Sequence, residues 1–431
     1  MRLLIVSPHF PPTNAPDMQR ARTALPWLLA RGWSVAVLAV DPRDVAAPTD
    51  DALLASVPAG VRVERVRAWP LALTRHLGLR TLGLRAIGGL ARGGDALIRD
   101  FQPDIVFFTT TQFVLTSLGR RWKRRHGVPF VVDLQDPWVT DYYAQPGAPR
   151  PPGGWKYRIA HTLAKHLEPR SFRPAAGFVS VSAAYLANLH ARYAWFAQRP
   201  QAVIPFGADA KETVSGRTSQ PAFTREPGRL HLVSVGAVGP IMQPAIRALL
   251  TAVRGLVDRD QSWASRLRLH FVGTSYAAAE QSRPSVQPLA TELGLGDLVE
   301  ESPARVPWAV AQATLRAADG LVIPTSDDPG YTPSKLAGTF LAERPVLLVA
   351  RAGTPAALTS AELGLARLLD PTQRDDGALA AFLLEIADPR EPWRTTRRAD
   401  VFENVHSARA RTGQLADFLE QAAASNRPSS A

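Results

Sequence analysis

Two tandem α/β domains, each a doubly wound parallel sheet, are the fold class this sequence predicts. Three observations predict it. The chain has 431 residues, more than one hydrophobic core organises. Short continuous apolar runs are separated by longer stretches with helical spacing, as expected for strands buried on both faces. The same alternation restarts after a polar stretch rich in Ser, Thr and Pro at 207–228.

The elements follow in order. L-L-I-V-S at 3–7 is a first apolar strand, and the helix at 18–31 stops at Gly32. Further strands are expected at 34–40, 61–66, 104–109, 130–134, 177–181 and 202–205. Helices intervene at 71–100, 113–126, 156–167 and 182–193. In the second half the strands are 230–235, 267–272, a weak one at 298–300, 320–324 and 346–350. The helices are 242–257, 285–293, 307–317, 333–341, 375–387 and 399–424. The expected domains are therefore 1–206 and 229–395, joined by a linker at 207–228. A helix at 396–424 can pack back on the first domain, and 425–431 is a disordered tail. Folds of this kind bind ligands at the carboxyl ends of their strands, so the two domains are expected to face a common cleft.

Composition narrows the function. With 46% hydrophobic and 20% charged residues the chain is an ordinary globular one. It has no cysteine, which excludes disulfides, zinc-thiolate centres and cysteine nucleophiles and fits a cytoplasmic location. The apolar run at the N-terminus is too short for a signal peptide, and no run is long enough to span a membrane. The net charge of +12 favours anionic partners. Nucleic acid is not expected among them, because zinc-spaced ligands and aromatic RNA-binding strands are missing.

The most informative segment runs from Leu321 to Val346: a buried-type strand, a Gly/Pro turn and a helix start. Thr332 suits an N-cap and Pro333 the first helical position. Lys335 then falls in the first turn, the wrong end of a helix for a cation. An anion docked on the free amides would account for it.

Several blocks resemble the retaining family 4 glycosyltransferases of two Rossmann-like domains (the GT-B type). They are S-P-H-F-P-P-T-N-A-P at 7–16, F-Q-P-D-I-V-F-F-T-T at 101–110 and V-P-F-V-V-D-L-Q-D-P-W at 128–138. In the second half they are V-S-V-G, F-V-G, R-V-P at 305–307, P-S-K at 333–335 and E-R-P-V-L at 343–347. The resemblance implies a nucleotide-sugar donor held by the second domain and an acceptor held by the first, in surface polysaccharide or cell-wall assembly. It puts Ser334 and Lys335 on the donor diphosphate. The family's two acidic residues eight positions apart fall here on Gly330 and Gly338, with Asp327 and Asp328 just before.

The expected site residues follow. Lys335, Ser334, Thr332, Gly236 and Gly239 would hold the diphosphate without a metal or other cofactor. Asp327, Asp328 and Tyr331 would meet the sugar or nucleoside. Asp136 and His9 are the candidates for catalysis beside Lys335, and Asn14, Arg20 and Trp138 for the acceptor side; Asp133 reads as structural. The basic region 74–125, with its interleaved leucines and its R-R-W-K-R-R run, is a candidate for peripheral contact with the inner, anionic face of a membrane. The expected function is transfer of a sugar with retention to a glycan or lipid-linked acceptor. The alternatives are a catalytically weakened nucleotide-sugar-binding or assembly protein, and an epimerase of the same fold.

Overall fold

The computed structural model describes all residues except 145–150, 152–153, 213–216, 276–278, 327–330, 332–334, 374–375, 389 and 427–431. The chain forms two compact units. Unit 1 comprises Met1–Gly207 with Ala408–Ala431, and unit 2 comprises Ala208–Ser407.

Unit 1 is built on seven parallel strands: β1 (Arg2–Val6), β2 (Ser34–Val40), β3 (Arg62–Val66), β4 (Ile105–Thr109), β5 (Phe130–Leu134), β6 (Gly177–Ser180) and β7 (Gln201–Val203). Their spatial order is β3-β2-β1-β4-β5-β6-β7. Alternate side chains feed two cores. Leu4, Val6, Leu38, Phe108 and Val132 point to one face, where α2 (Leu82–Phe101) and α3 (Ser117–His126) cover them. Leu3, Ile5, Val37 and Phe107 point to the other, against α1 (Gln19–Ala30) and the C-terminal helix Ala408–Ala424. Burial on both faces explains why these strands read as unbroken apolar runs. α4 (Trp155–Phe172) and α5 (Ala183–Arg192) complete the unit.

Unit 2 has six parallel strands: β8 (Leu230–Val235), β9 (Leu267–Val272), β10 (Val299–Ser302), β11 (Gly320–Pro324), β12 (Val346–Val349) and β13 (Ala366–Leu369). Their order is β10-β9-β8-β11-β12-β13. Its main helices are α6 (Gln243–Arg259), α7 (Gln287–Glu292), α8 (Trp308–Ala317), α9 (Lys335–Phe340), α10 (Pro355–Glu362) and α11 (Asp376–Ala387). β13 and α10 were not expected from the sequence. β13 is a four-residue edge strand carrying Arg367, too short and too mixed to stand out.

Four expectations are corrected. The stretch 207–228 is not a free linker from Ala208 onward, since those residues pack with unit 2. Phe223 is buried there and stacks on His231 and His270, so one aromatic anchors an otherwise polar segment. The helix expected at 399–424 is interrupted: a π turn at Phe402–His406 precedes the C-terminal helix, and unit 2 ends at Ser407. Within the basic region 74–125 the apolar faces of α2 and α3 are not available to a membrane, because Leu82, Ala86, Leu90 and Leu97 line the core and Trp122 of R-R-W-K-R-R is fully buried. Of the expected disordered tail, Ser425 and Asn426 bond back to the preceding helix turn, and 427–431 lie outside the described residues.

Candidate active site

In each unit the chain winds outward from one central strand and then returns to that strand's other side. The switch points are β1/β4 in unit 1 and β8/β11 in unit 2, the positions where open α/β sheets bind ligands beyond their strand ends. Both collect chemistry.

In unit 1, His9 follows β1 and is fixed by Ser7, whose hydroxyl donates to the His9 carbonyl at 2.7 Å. Its Nδ1 lies 2.8 and 2.9 Å from the two carboxylate oxygens of Asp17. Thr110 and Thr111, just past β4, donate to the same carboxylate at 3.3 Å. Burial pushes the Asp17 carboxyl up, but the His9 charge and the bonds from His9 and Thr111 outweigh it and hold it below the usual range. Asp17 therefore orients the His9 ring, as a buried carboxylate does for a general base. No motif pointed to it, since seven residues of Pro-rich loop separate the pair.

Asp136 leaves the end of β5 with an exposed side chain, and among the described residues nothing donates to its carboxylate. Restricted hydration and the Asp17 charge push it up to about 6. The neighbouring Asp133 is fully buried and structural. It accepts from Arg20 Nε at 2.8 Å, Thr109 at 2.9 Å and Gln135 at 2.9 Å.

That arrangement corrects three acceptor-side expectations. Arg20 is not in an open loop but 5% exposed, paired with Asp133, bonded to the Ile204 carbonyl at 2.6 Å and lying over the Phe206 ring. Asn14 is buried as well, its backbone N–H donating to the Pro48 carbonyl at 2.8 Å. Trp138 stacks on Phe113 and leans on Phe172, which makes it a packing residue.

In unit 2, Lys335 opens α9 and reaches across to the end of β8, where Nζ lies 3.5 Å from the Ala237 carbonyl. Gly236 makes this possible. Its φ of +105° suits glycine, and a Cβ there would stand 2.8 Å from Lys335 Cε and 2.9 Å from Nζ. Gly273, after β9 with φ +71°, brings the Arg305 backbone alongside: a Cβ on it would be 3.9 Å from Arg305 Cα and 4.0 Å from the Gly236 amide. Desolvation, and then the Arg305 charge, push Lys335 down to about 8. Lys335 thus gives up part of its own ionisation at a glycine-rich strand end, with the Arg305 charge nearby, an arrangement suited to receiving an anion. Arg305 was visible in the sequence only as part of R-V-P, and its convergence with Lys335 needed the sheet order.

Other unit 2 expectations divide. Gly239 has an ordinary φ of −83°, and a Cβ on it would meet nothing within 4 Å, so it is not a close-approach glycine. Tyr331 packs against the unit 2 core. Gly338 also has open space where a Cβ would stand. Ser334, Thr332, Asp327, Asp328 and Gly330 lie outside the described residues. The start of α7 is no phosphate site, because Glu301 already takes the amides of Val286 and Gln287 at 2.8 and 2.7 Å.

The comparisons with known proteins agree with the two-sheet reading. Residues 19–207 match the model of the glycosyl transferase 4-like domain. A D-inositol 3-phosphate glycosyltransferase from Thermomonospora curvata is 31% identical over 171 residues, 39% of this chain and 36% of that protein. One from Actinosynnema mirum is 28% identical over 168 residues, 38% of each chain. The chain thus spans little more than a third of the length of these curated relatives. Among solved structures, sucrose-phosphate synthase from Thermosynechococcus elongatus has a TM-score of 0.63 at 16% identity, covering 98% of this chain and 99% of that one. An E. coli structure described as trehalose-6-phosphate bound with UDP-2-fluoro glucose gives 0.63 at 13%, with the same coverage. At these identities the structural likeness establishes the two-domain Rossmann-like fold.

Proposed function

We propose that this chain, whose residues 19–207 match the glycosyl transferase 4-like domain, transfers a sugar from a nucleotide diphosphate to a glycan or lipid-linked acceptor. The observation that carries the proposal is the approach of Lys335 to Gly236 beside Arg305, at the switch point of unit 2. Cleaving the bond between sugar and diphosphate builds negative charge on the leaving group. Two preorganised cations stabilise that charge more in the transition state than in the ground state. They supply the role a divalent metal has elsewhere, so the reaction proceeds without one. In unit 1, Asp136 accepts the hydrogen bond of the acceptor hydroxyl, and His9, oriented by Asp17, positions the transferred sugar. Transfer with retention, and a place in surface-polysaccharide or cell-wall assembly at the inner face of the membrane, follow the family resemblance.

Gly338 favours a second reading, a nucleotide-sugar-binding protein with weakened turnover, because open space stands where the family carries a ribose-binding acid. One experiment separates the two. Parent protein and Lys335→Ala are incubated with UDP- and GDP-sugars, in EDTA, with D-inositol 3-phosphate or a lipid-linked acceptor. Both nucleotide binding and acceptor-dependent release of nucleoside diphosphate are measured. Release by the parent and loss of both signals in the variant support the transferase. Binding without release supports the second reading, and release without any acceptor would instead indicate hydrolysis or epimerisation.

A further inference from the structure

Apart from Leu54 and Val203, the exposed large apolar side chains of unit 1 fall in two segments. Trp69, Leu71, Leu73 and Leu79 fall within one short segment between β3 and α2, and Trp69 and Leu73 are 63% and 64% exposed. Trp155, Ile159 and Leu163, at 67%, 60% and 51%, recur every four residues and so share one side of α4. An isolated exposed leucine needs no explanation, but two tryptophans and five aliphatic side chains in two clusters do.

Charge accompanies them. Neither 69–81 nor 155–167 contains an Asp or Glu, and exposed Arg75, Arg80, Lys156 and Arg158 are interleaved with the apolar residues. The segments also leave from the same edge of the sheet, since each follows the carboxyl end of a parallel strand, β3 or β5. They flank one 3-10 turn, Phe113–Thr116, which packs against both α2 and α4. Trp69 is fixed to α2 by two bonds with Arg85: its amide donates to the Arg85 carbonyl at 3.1 Å, and Arg85 Nη1 donates to its carbonyl at 2.8 Å. This is also the edge that carries His9, Asp17 and Asp136.

We propose that these two segments form a docking surface for an anionic lipid bilayer, with Trp69 and Trp155 as interfacial anchors and the four cations facing headgroups. It replaces α2 and α3 as the membrane-facing surface, because their apolar faces are already spent on the core. Charge complementarity selects the occupant: the charges interleaved with the apolar side chains are cations, and Asp141 beside α4 is paired with Lys165 at 4.0 Å, so the surface fits anionic headgroups. The surface is independent of the donor reading, and its test needs no nucleotide.

The test is co-sedimentation of the full chain with vesicles of phosphatidylcholine, with and without phosphatidylglycerol. The parent should sediment with the anionic vesicles, less so as salt rises. Trp69→Ser/Leu73→Ser and Trp155→Ser/Ile159→Ser should each lower the bound fraction at least about fivefold. Arg75→Gln/Arg80→Gln should lower it about fivefold per cation removed. All six side chains are exposed, so unchanged melting curves serve as the folding control. Equal parent binding to both vesicle types overturns the proposal, and so do serine pairs that bind like the parent. A change in the self-association of the serine pairs, with vesicle binding intact, overturns it in favour of a protein partner.

Discussion

A Cβ on Gly236 would stand 2.9 Å from Nζ of Lys335, so the end of β8 and the start of α9 are fitted to one another around a missing side chain. Gly236→Ala should therefore act twice. The φ of +105° becomes strained, costing about 1–2 kcal/mol, and Lys335 is pushed out of the anion position. The melting temperature should fall by only a few degrees, about 2–4 °C per kcal/mol for a unit of this size, while nucleoside-diphosphate binding is lost. Calorimetric titration at a temperature where the variant is folded checks this. Unaltered affinity would mean that Lys335 does not need the Gly236 gap.

Asp136 gives a pH prediction. Its carboxyl is raised to about 6, so the ionised form is gained as pH rises through that value, and acceptor-dependent turnover should rise with it. The same shift means the folded unit holds this proton more tightly than the unfolded chain, so Asp136 favours folding at acid pH and loses that contribution as pH rises through about 6. Asp136→Asn should remove the acid limb and slow transfer about a hundredfold or more. Asp17→Asn removes the negative charge beside it and should move the limb to lower pH. A limb that stays in place in Asp17→Asn would sever the two carboxylates.

Arg20 should behave as a structural residue. Removing it leaves the Asp133 carboxylate buried without its cation, so Arg20→Ala should cost about 3–5 kcal/mol in denaturant unfolding. A change under about 1 kcal/mol, with reduced turnover, would return Arg20 to the acceptor side.

Gly338 tests the ribose question. The open space at its Cα admits a side chain, and replacing a helical glycine stabilises by up to about 1 kcal/mol. Gly338→Glu should therefore fold normally and bind UDP more tightly relative to pyrophosphate, which lacks a ribose. The ratio of the two affinities is the readout. A ratio equal to that of the parent would show that no ribose approaches α9.

What was legible in the sequence follows from range. Continuous apolar runs report burial on both faces locally, so twelve of the thirteen strands were expected within a few residues of their positions. β13 was missed because a short edge strand with an arginine carries no such run. The misplaced Lys335 was legible because helix ends have a fixed polarity. Its partners were not: Gly236 and Arg305 lie 99 and 30 positions away in the chain, and only the order β10-β9-β8-β11 brings them together. The same limit hid Asp17 behind a Pro-rich loop and made Arg20 look available when it is the counter-ion of Asp133. The resemblance pointed to these strand ends without distinguishing Asn14, Arg20 and Trp138, which pack, from Asp136, which is exposed.

Thermal unfolding of parent and Lys335→Met, with and without UDP in EDTA, tests the central claim most directly. Lys335 is held near 8 by desolvation and by Arg305, so the folded chain binds its proton less tightly than the unfolded chain, and an ionised Lys335 opposes folding below about pH 8. At pH 7 the unliganded variant should melt higher than the parent, by about 2–4 °C, and UDP should raise the melting temperature of the parent alone. A variant that melts lower than the parent, or that is stabilised by UDP as strongly, would contradict a diphosphate site built around Lys335.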